Sequence, residues 1–94
     1  MKNYLANAFS LQMLSELPSN IKVEEINELP AGLISAVGHQ DTANVLGVEM
    51  NRINISLKTE DILYVAQLQG GRLPEGSTKL PDGFSFKFLK ITIY

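Results

Sequence analysis

The stretch Ile62-Leu63-Tyr64-Val65-Ala66-Gln67-Leu68 decides the fold class. Its apolar and aromatic residues occupy both parities, so it lacks the in–out alternation of a strand with one wet face. A strand of this composition is covered on both sides, as in sheets that carry other elements on each face. Lys58-Thr59-Glu60-Asp61 makes the turn before it. Further upstream, Arg52 to Leu57 alternates cleanly, with Ile53, Ile55 and Leu57 on one side and Asn54 and Ser56 on the other, and predicts another strand. Downstream, Gly70-Gly71-Arg72-Leu73-Pro74-Glu75-Gly76 is a loop whose glycines allow backbone to approach a ligand closely. Phe84, Phe86 and Phe88 then alternate, and Ile91 and Ile93 continue in the opposite phase. That phase change predicts a bulge near Phe88 or a strand covered on both faces.

The first half has shorter elements. Tyr4-Leu5-Ala6 is a short strand, and Ser10 can cap a helix over Leu11 to Leu17 that Pro18-Ser19-Asn20 ends. Ile21, Val23 and Ile26 lie in a strand-like stretch. Pro30-Ala31-Gly32 is suited to opening a helical turn through Val37, with Gly38 as its stop. Asp41 is a natural N-cap for a short helix, Thr42 to Leu46, closed by Gly47. The expected architecture is α/β. One domain spans residues 1–94, with a mixed sheet of about five strands and two or three short helices.

Composition narrows the chemistry. The chain has 94 residues, 45% of them apolar, enough for one core. A domain of this size buries only ~60–65% of its unfolded surface and is marginal alone, so oligomerisation is a reasonable expectation. It has no Cys, which excludes disulfides, thiolate metal sites and Cys nucleophiles, and one His, His39, which excludes a two-His metal site in one chain. Net charge is −2, which argues against a general grip on duplex nucleic acid. Charge is unevenly divided: residues 1–50 carry −4 and residues 51–94 carry +2, so an anion is steered toward the second half. The N-terminal residues form no apolar signal segment and no stretch is long enough to span a membrane, so a cytoplasmic protein is expected.

Few residues are equipped for catalysis. His39 follows Gly38 and precedes a helix start. Two roles fit it there: an imidazole satisfied in a turn, which is the commoner case, or a proton donor beside free helix N–H groups that suit a phosphate. Arg72 lies in the glycine-rich loop with Glu75 three residues on. Arg can hold a phosphate through two parallel hydrogen bonds, with Glu75 orienting it; a surface ion pair of little consequence is the plainer alternative. Asn7, Ser10 and Gln12 offer neutral hydrogen bonds after the first strand. Asp41 is better suited to capping than to metal binding.

Three segments together carry a resemblance. They are Tyr4-Leu5-Ala6-Asn7-Ala8-Phe9-Ser10 with Met13-Leu14; Ala36-Val37-Gly38-His39-Gln40-Asp41-Thr42, followed by Asn51-Arg52-Ile53; and Arg72-Leu73-Pro74-Glu75-Gly76. In this order and spacing the chain resembles the small ring-nuclease family first known from archaeal viruses, which includes the viral anti-CRISPR ring nucleases and bacterial or phage relatives. The resemblance implies a homodimer that binds cyclic tetra-adenylate, the messenger of type III CRISPR complexes. It implies cleavage to linear di-adenylates with 2′,3′-cyclic phosphate ends, with no metal or cofactor. It makes His39 the general acid, Arg72 the phosphate clamp and Glu75 the residue that holds Arg72. It places Asn7, Ser10, Gln12, Gly38, Thr42 and Arg52 against the ligand, with Gln67 or Gln69. Two features depart from the family's pattern: Asp41 stands where some relatives carry a small hydroxyl residue, and only Ser77 to Gly83 joins the loop to the last strand, where many relatives have a covering helix. A non-catalytic binder of the same ring, and a small structural or interaction module, are the competing expectations.

Overall fold

A computed structural model describes all residues, 1–94. Five strands form one mixed sheet: β1 (Asn3–Ala6), β2 (Ile21–Ile26), β3 (Ile34–Ser35), β4 (Ile62–Gln69) and β5 (Ser85–Ile93). Their spatial order is β2-β5-β4-β1-β3. β1 runs parallel to both β3 and β4, while β5 is antiparallel to β4 and β2. The only α-helix is α1 (Gln40–Leu46), and Leu11–Met13 forms a 3-10 turn.

β4 is covered on both faces, as its composition requires. Leu63 and Val65 face a core with Tyr4, Ala6, Leu14, Ile55, Leu57, Ile91 and Ile93. Tyr64 and Ala66 face the other core with Leu5, Val37 and Ala43 of α1. β5 explains its own phase change: Phe86 and Phe88 pack on the α1 side, and Leu89, Ile91 and Ile93 on the opposite side. It needs no bulge, since its register runs unbroken from Gln69↔Ser85 to Ile62↔Thr92 against β4 and from Ile26↔Phe88 to Ile21↔Ile93 against β2.

Four local expectations are corrected. Arg52–Leu57 is not a strand of the sheet. Ile55 and Leu57 are buried and Ile53 is exposed, but the backbone pairs only through the isolated bridge Leu14↔Leu57. There Leu57 donates its N–H to Met13 O (2.6 Å) and accepts the N–H of Ser15 (2.9 Å). The same pairing stops the helix expected over Leu11–Leu17 after one 3-10 turn, because Leu14 turns extended to meet Leu57. The helical turn expected over Pro30–Val37 is replaced by β3, where β-branched Ile34 and Ser35 pair with Tyr4 and Leu5. Finally, α1 begins two residues early: His39, not Asp41, occupies the N-cap, and Asp41 lies in the first helical turn. Gly47 closes α1 in the left-handed conformation, φ +73°.

Asp61 ties the start of the chain to the start of β4. Its buried carboxylate accepts the N–H of Lys2 (2.9 Å) and of Lys58 (3.0 Å). Burial opposes ionisation, but the two N–H donors and the positive charge of the amino terminus and Lys2 outweigh it, and the carboxyl is held below its ordinary value. The unfolded chain therefore binds this proton more tightly than the folded one. The stabilisation is complete above the ordinary carboxylate range, near pH ~4, and is lost as pH falls through the lower folded-state value. Urea unfolding as a function of pH should show a falling acid limb, and Asp61→Asn should flatten it. An unchanged limb would mean that other carboxylates carry the effect.

Candidate functional site

Parallel strands send their C-terminal ends to the same edge of a sheet, and crevices form there. β1, β3 and β4 are mutually parallel or share β1 as parallel neighbour. What leaves that edge is the Asn7–Ser10 segment after β1, Val37-Gly38-His39 after β3, and Gly70 to Glu75 after β4. The three sequence segments singled out above thus emerge together because three strands run the same way.

Two of the three build one cleft. It has a volume of about 830 Å³ and is lined by His39, Asp41, Thr42, Leu68, Gly71, Arg72, Leu73 and Glu75. The sheet floor is Leu68, on the α1 side. His39 is exposed; its backbone C=O accepts the Ala43 N–H (3.0 Å) and its imidazole makes no capping bond, so the ring is free to serve the cleft. Thr42 is buried at the cleft wall. Arg72 and Glu75 are exposed within it. No ion pair joins them within 4.0 Å: the chain's two ion pairs are Lys22–Glu24 and Lys87–Glu25, both elsewhere. Arg72 therefore keeps its donors available, and the holding role expected of Glu75 is not formed in this structure.

The loop that carries Arg72 is pinched at its neck. A Cβ on Gly70 would lie 2.6 Å from Gly83 O and 3.0 Å from Phe84 Cα, and Gly70 has φ +114°. Only glycine suits that approach and that conformation. Within the loop, Ser77 donates its N–H (3.2 Å) and its hydroxyl (2.6 Å) to Pro74 O, and Asn44 of α1 reaches Ser77 O at 3.5 Å. These bonds tie the short Ser77–Gly83 connection back toward the helix.

Arg52 stands behind His39 rather than in the cleft. Its Nε donates to Gly38 O (3.0 Å), and a Cβ on Gly38 would meet Arg52 Cγ at 3.3 Å. Arg52 and Gly38 thus set the turn that delivers His39. This supporting contact was not legible in sequence, because the two residues are 14 apart.

The remaining expected ligand residues are not in this cleft. Asn7 and Gln67 line a separate cavity of about 350 Å³, with Phe9, Val23, Leu89 and Ile91. Gln67 has the parity of Leu63 and Val65 and so faces away from α1. Ser10 and Gln12 are exposed at the 3-10 turn, where the Ser10 hydroxyl makes no capping bond. Within one chain, the sheet separates these residues from His39 and Arg72. Nowhere do three or more His, Cys, Asp or Glu side chains gather as a metal-ligand set, and no helix is long and apolar enough to cross a membrane.

A five-stranded mixed sheet with one short helix, and a His–Arg–Glu cleft where parallel strands end, defines a small single-domain α/β protein with a polar cleft. The chain belongs to the STIV B116-like family, whose model matches residues 3–83. Among solved structures it is similar to B116 of Sulfolobus turreted icosahedral virus, at 25% identity over 98% of this chain and 99% of that chain, with a TM-score of 0.81. Among curated proteins no relative matches.

Proposed function

We propose that the protein is a metal-independent ring nuclease that opens cyclic tetra-adenylate to linear di-adenylates ending in 2′,3′-cyclic phosphate, and so counters type III CRISPR signalling. The observation that carries this reading is the convergence of His39, Thr42, Arg72 and Glu75 on one polar cleft of about 830 Å³. The chemistry asks little more of a protein. The ribose 2′-hydroxyl is tethered beside the scissile phosphate, so placing it in line with the leaving oxygen supplies much of the rate. The 2′-oxygen forms a bond to phosphorus, the bond to the 5′-oxygen breaks, the 2′-hydroxyl proton passes to solvent, and His39 delivers a proton to the departing 5′-oxygen. Arg72 meets the charge on the phosphoryl oxygens. Thr42 bounds the phosphate position, and Arg52 and Gly38 hold the His39 turn.

A ring of four nucleotides is two-fold symmetric across opposite phosphates, which suits a homodimer with one His39 per cut. In that assembly Asn7, Ser10, Gln12 and Gln67 serve the ring only if the second protomer brings them to it. The small domain size and the acidic net charge agree with a homodimer acting on a small cyclic nucleotide rather than on duplex nucleic acid.

The test is incubation with labelled cyclic tetra-adenylate in EDTA, followed by separation of products. Di-adenylates with cyclic phosphate ends are expected. An intact ring that co-elutes with the protein would replace the nuclease with a non-catalytic binder. A ring neither bound nor cut would leave a structural or interaction module.

A further inference from the structure

Of the ten Asp and Glu side chains, eight are exposed; the other two are Asp61 and Asp41. Asp61 is spent, because its carboxylate oxygens accept the N–H groups of Lys2 and Lys58. Asp41 is not. It is half-buried in the first turn of α1 and lines the His39 cleft. It does not cap the helix, since His39 holds that position. The side-chain hydrogen bonds of α1 run from Gln40 to Asn44 and from Asn44 to Ser77 O, and neither involves Asp41. Its carboxylate forms no ion pair within 4.0 Å, with Arg72 or with His39. A half-buried carboxylate without a partner thus opens on the cleft.

Such a group works against simple anion binding. The charged and titratable residues that line the cleft are His39, Asp41, Arg72 and Glu75, and Arg52 stands behind His39, bonded to Gly38 O. Two carboxylates therefore accompany one guanidinium where phosphate is to be held, and each repels it. A helix start gains from an acidic residue, but that gain does not require the side chain to line a cleft. Ring opening does have a use for it. A hydroxyl that attacks phosphorus must lose its proton as the new bond forms, and an ionised carboxylate is a pure acceptor. The two carboxylates are not equivalent for this task. Glu75 is exposed on the loop after β4, whereas Asp41 is held on a helix, and groups on regular elements are placed more precisely than groups on loops. Asp41 also stands apart from His39: residues two apart on a helix do not face each other, and no ion pair joins these two. Displacement at phosphorus needs that separation. The attacking and leaving oxygens lie in line on opposite sides, so base and acid must each serve its own side.

Resting on the ring-nuclease reading, we infer that Asp41 is the general base of ring opening and accepts the proton of the attacking ribose 2′-hydroxyl. The step balances. The 2′-oxygen bonds to phosphorus and its proton moves to the Asp41 carboxylate. The bond from phosphorus to the 5′-oxygen breaks, the oxygen keeps the electron pair, and His39 gives it a proton. Protonated Asp41 then releases its proton to solvent and His39 regains one, which resets both groups for the next ring.

Single-turnover opening of labelled cyclic tetra-adenylate, with equilibrium binding measured beside it, tests the assignment. Asp41→Asn is expected to slow opening by ~10²-fold. It should bind the ring no more weakly than the wild type, since it removes a negative charge from the cleft. Hydroxide must then do the work of the base. The ratio of the wild-type rate to the Asp41→Asn rate should therefore fall about tenfold per pH unit, because the contribution of His39 is common to both. Asp41→Ala with added formate is a second readout: the small carboxylate should restore opening by at least ~10-fold, which loss of a merely structural side chain would not allow. Equal rates for wild type and Asp41→Asn, or a slowed variant whose ratio to the wild type is constant with pH, would overturn the proposal. So would a pH-dependent ratio of the same kind in Glu75→Gln, which would move the base to the loop. If the wild type itself leaves the ring intact, the nuclease reading fails and the base with it. If the wild type opens the ring and Asp41→Asn does so equally, only the base assignment fails.

Discussion

His39→Ala is expected to slow opening of cyclic tetra-adenylate by ~10²–10⁴-fold, the usual contribution of a positioned proton donor. The leaving 5′-alkoxide is a poor leaving group without a proton, and His39 is the only imidazole in the chain. It lines the cleft, and its ring is not engaged in capping α1. Binding should fall little, because proton delivery is an interaction made only in the transition state. Arg72→Ala provides the contrast. Its guanidinium is free of Glu75 and would contact phosphate in both ground and transition states, so affinity and rate should drop together. Single-turnover cleavage beside equilibrium binding separates the two. Equal rates for wild type and His39→Ala would remove His39 from the chemistry, and tight binding by Arg72→Ala would remove the clamp.

Gly70→Ala carries the second large effect, and it acts through the fold. The position has φ +114°, and the added Cβ would lie 2.6 Å from Gly83 O and 3.0 Å from Phe84 Cα. The first two obstacles are backbone atoms, so no side chain can swing aside. The backbone conformation alone costs about 1–3 kcal/mol for a residue with a side chain, and with the clash the expected loss of stability is about 2–4 kcal/mol. The neck of the Arg72 loop must widen, so ring binding should weaken as well. Gly71→Ala is the control: it has φ +117° but open space around the added Cβ. It should incur the conformational cost only. Chemical denaturation of the two variants measures the difference, and equal losses would mean that the close approach at Gly83 is not limiting.

How much of this was legible in sequence varies by element. The double-faced strand at Ile62–Gln69 was, because its apolar residues at both parities require cover on both sides. The phase change in β5 was legible only as a choice between a bulge and two-sided cover. The unbroken pairing with β4 and β2 settles it for cover. Arg52–Leu57 is the instructive error. Alternation reports which side of an extended segment meets apolar atoms, and Ile55 and Leu57 are indeed buried. It does not report whether the backbone finds a strand partner, and only Leu57 does. β3 failed for the complementary reason: two residues are too few to show a period, and their pairing with Tyr4 and Leu5 is long-range. The helix expected from Leu11 onward lost to the contact between Leu14 and Leu57, 43 residues apart, an instance of tertiary pairing overriding local propensity.

The candidate site divides along the same line. The sequence alone determined the supply of chemistry: one His, no Cys, an Arg in a glycine-rich loop, and charge biased to the second half. Those are properties of composition and order, and folding does not change them. It also carried the likeness to a family of small archaeal-virus proteins, through short motifs in a fixed order. Only the tertiary structure decided which of those groups meet. Parallel strands deliver His39 and Arg72 to one crevice from positions 33 residues apart, and the pleat of β4 sends Gln67 to the opposite face from Leu68. Side chains of neighbouring residues on a strand point to opposite sides, so nearness in sequence separates those two, while the common direction of β3 and β4 joins His39 to Arg72.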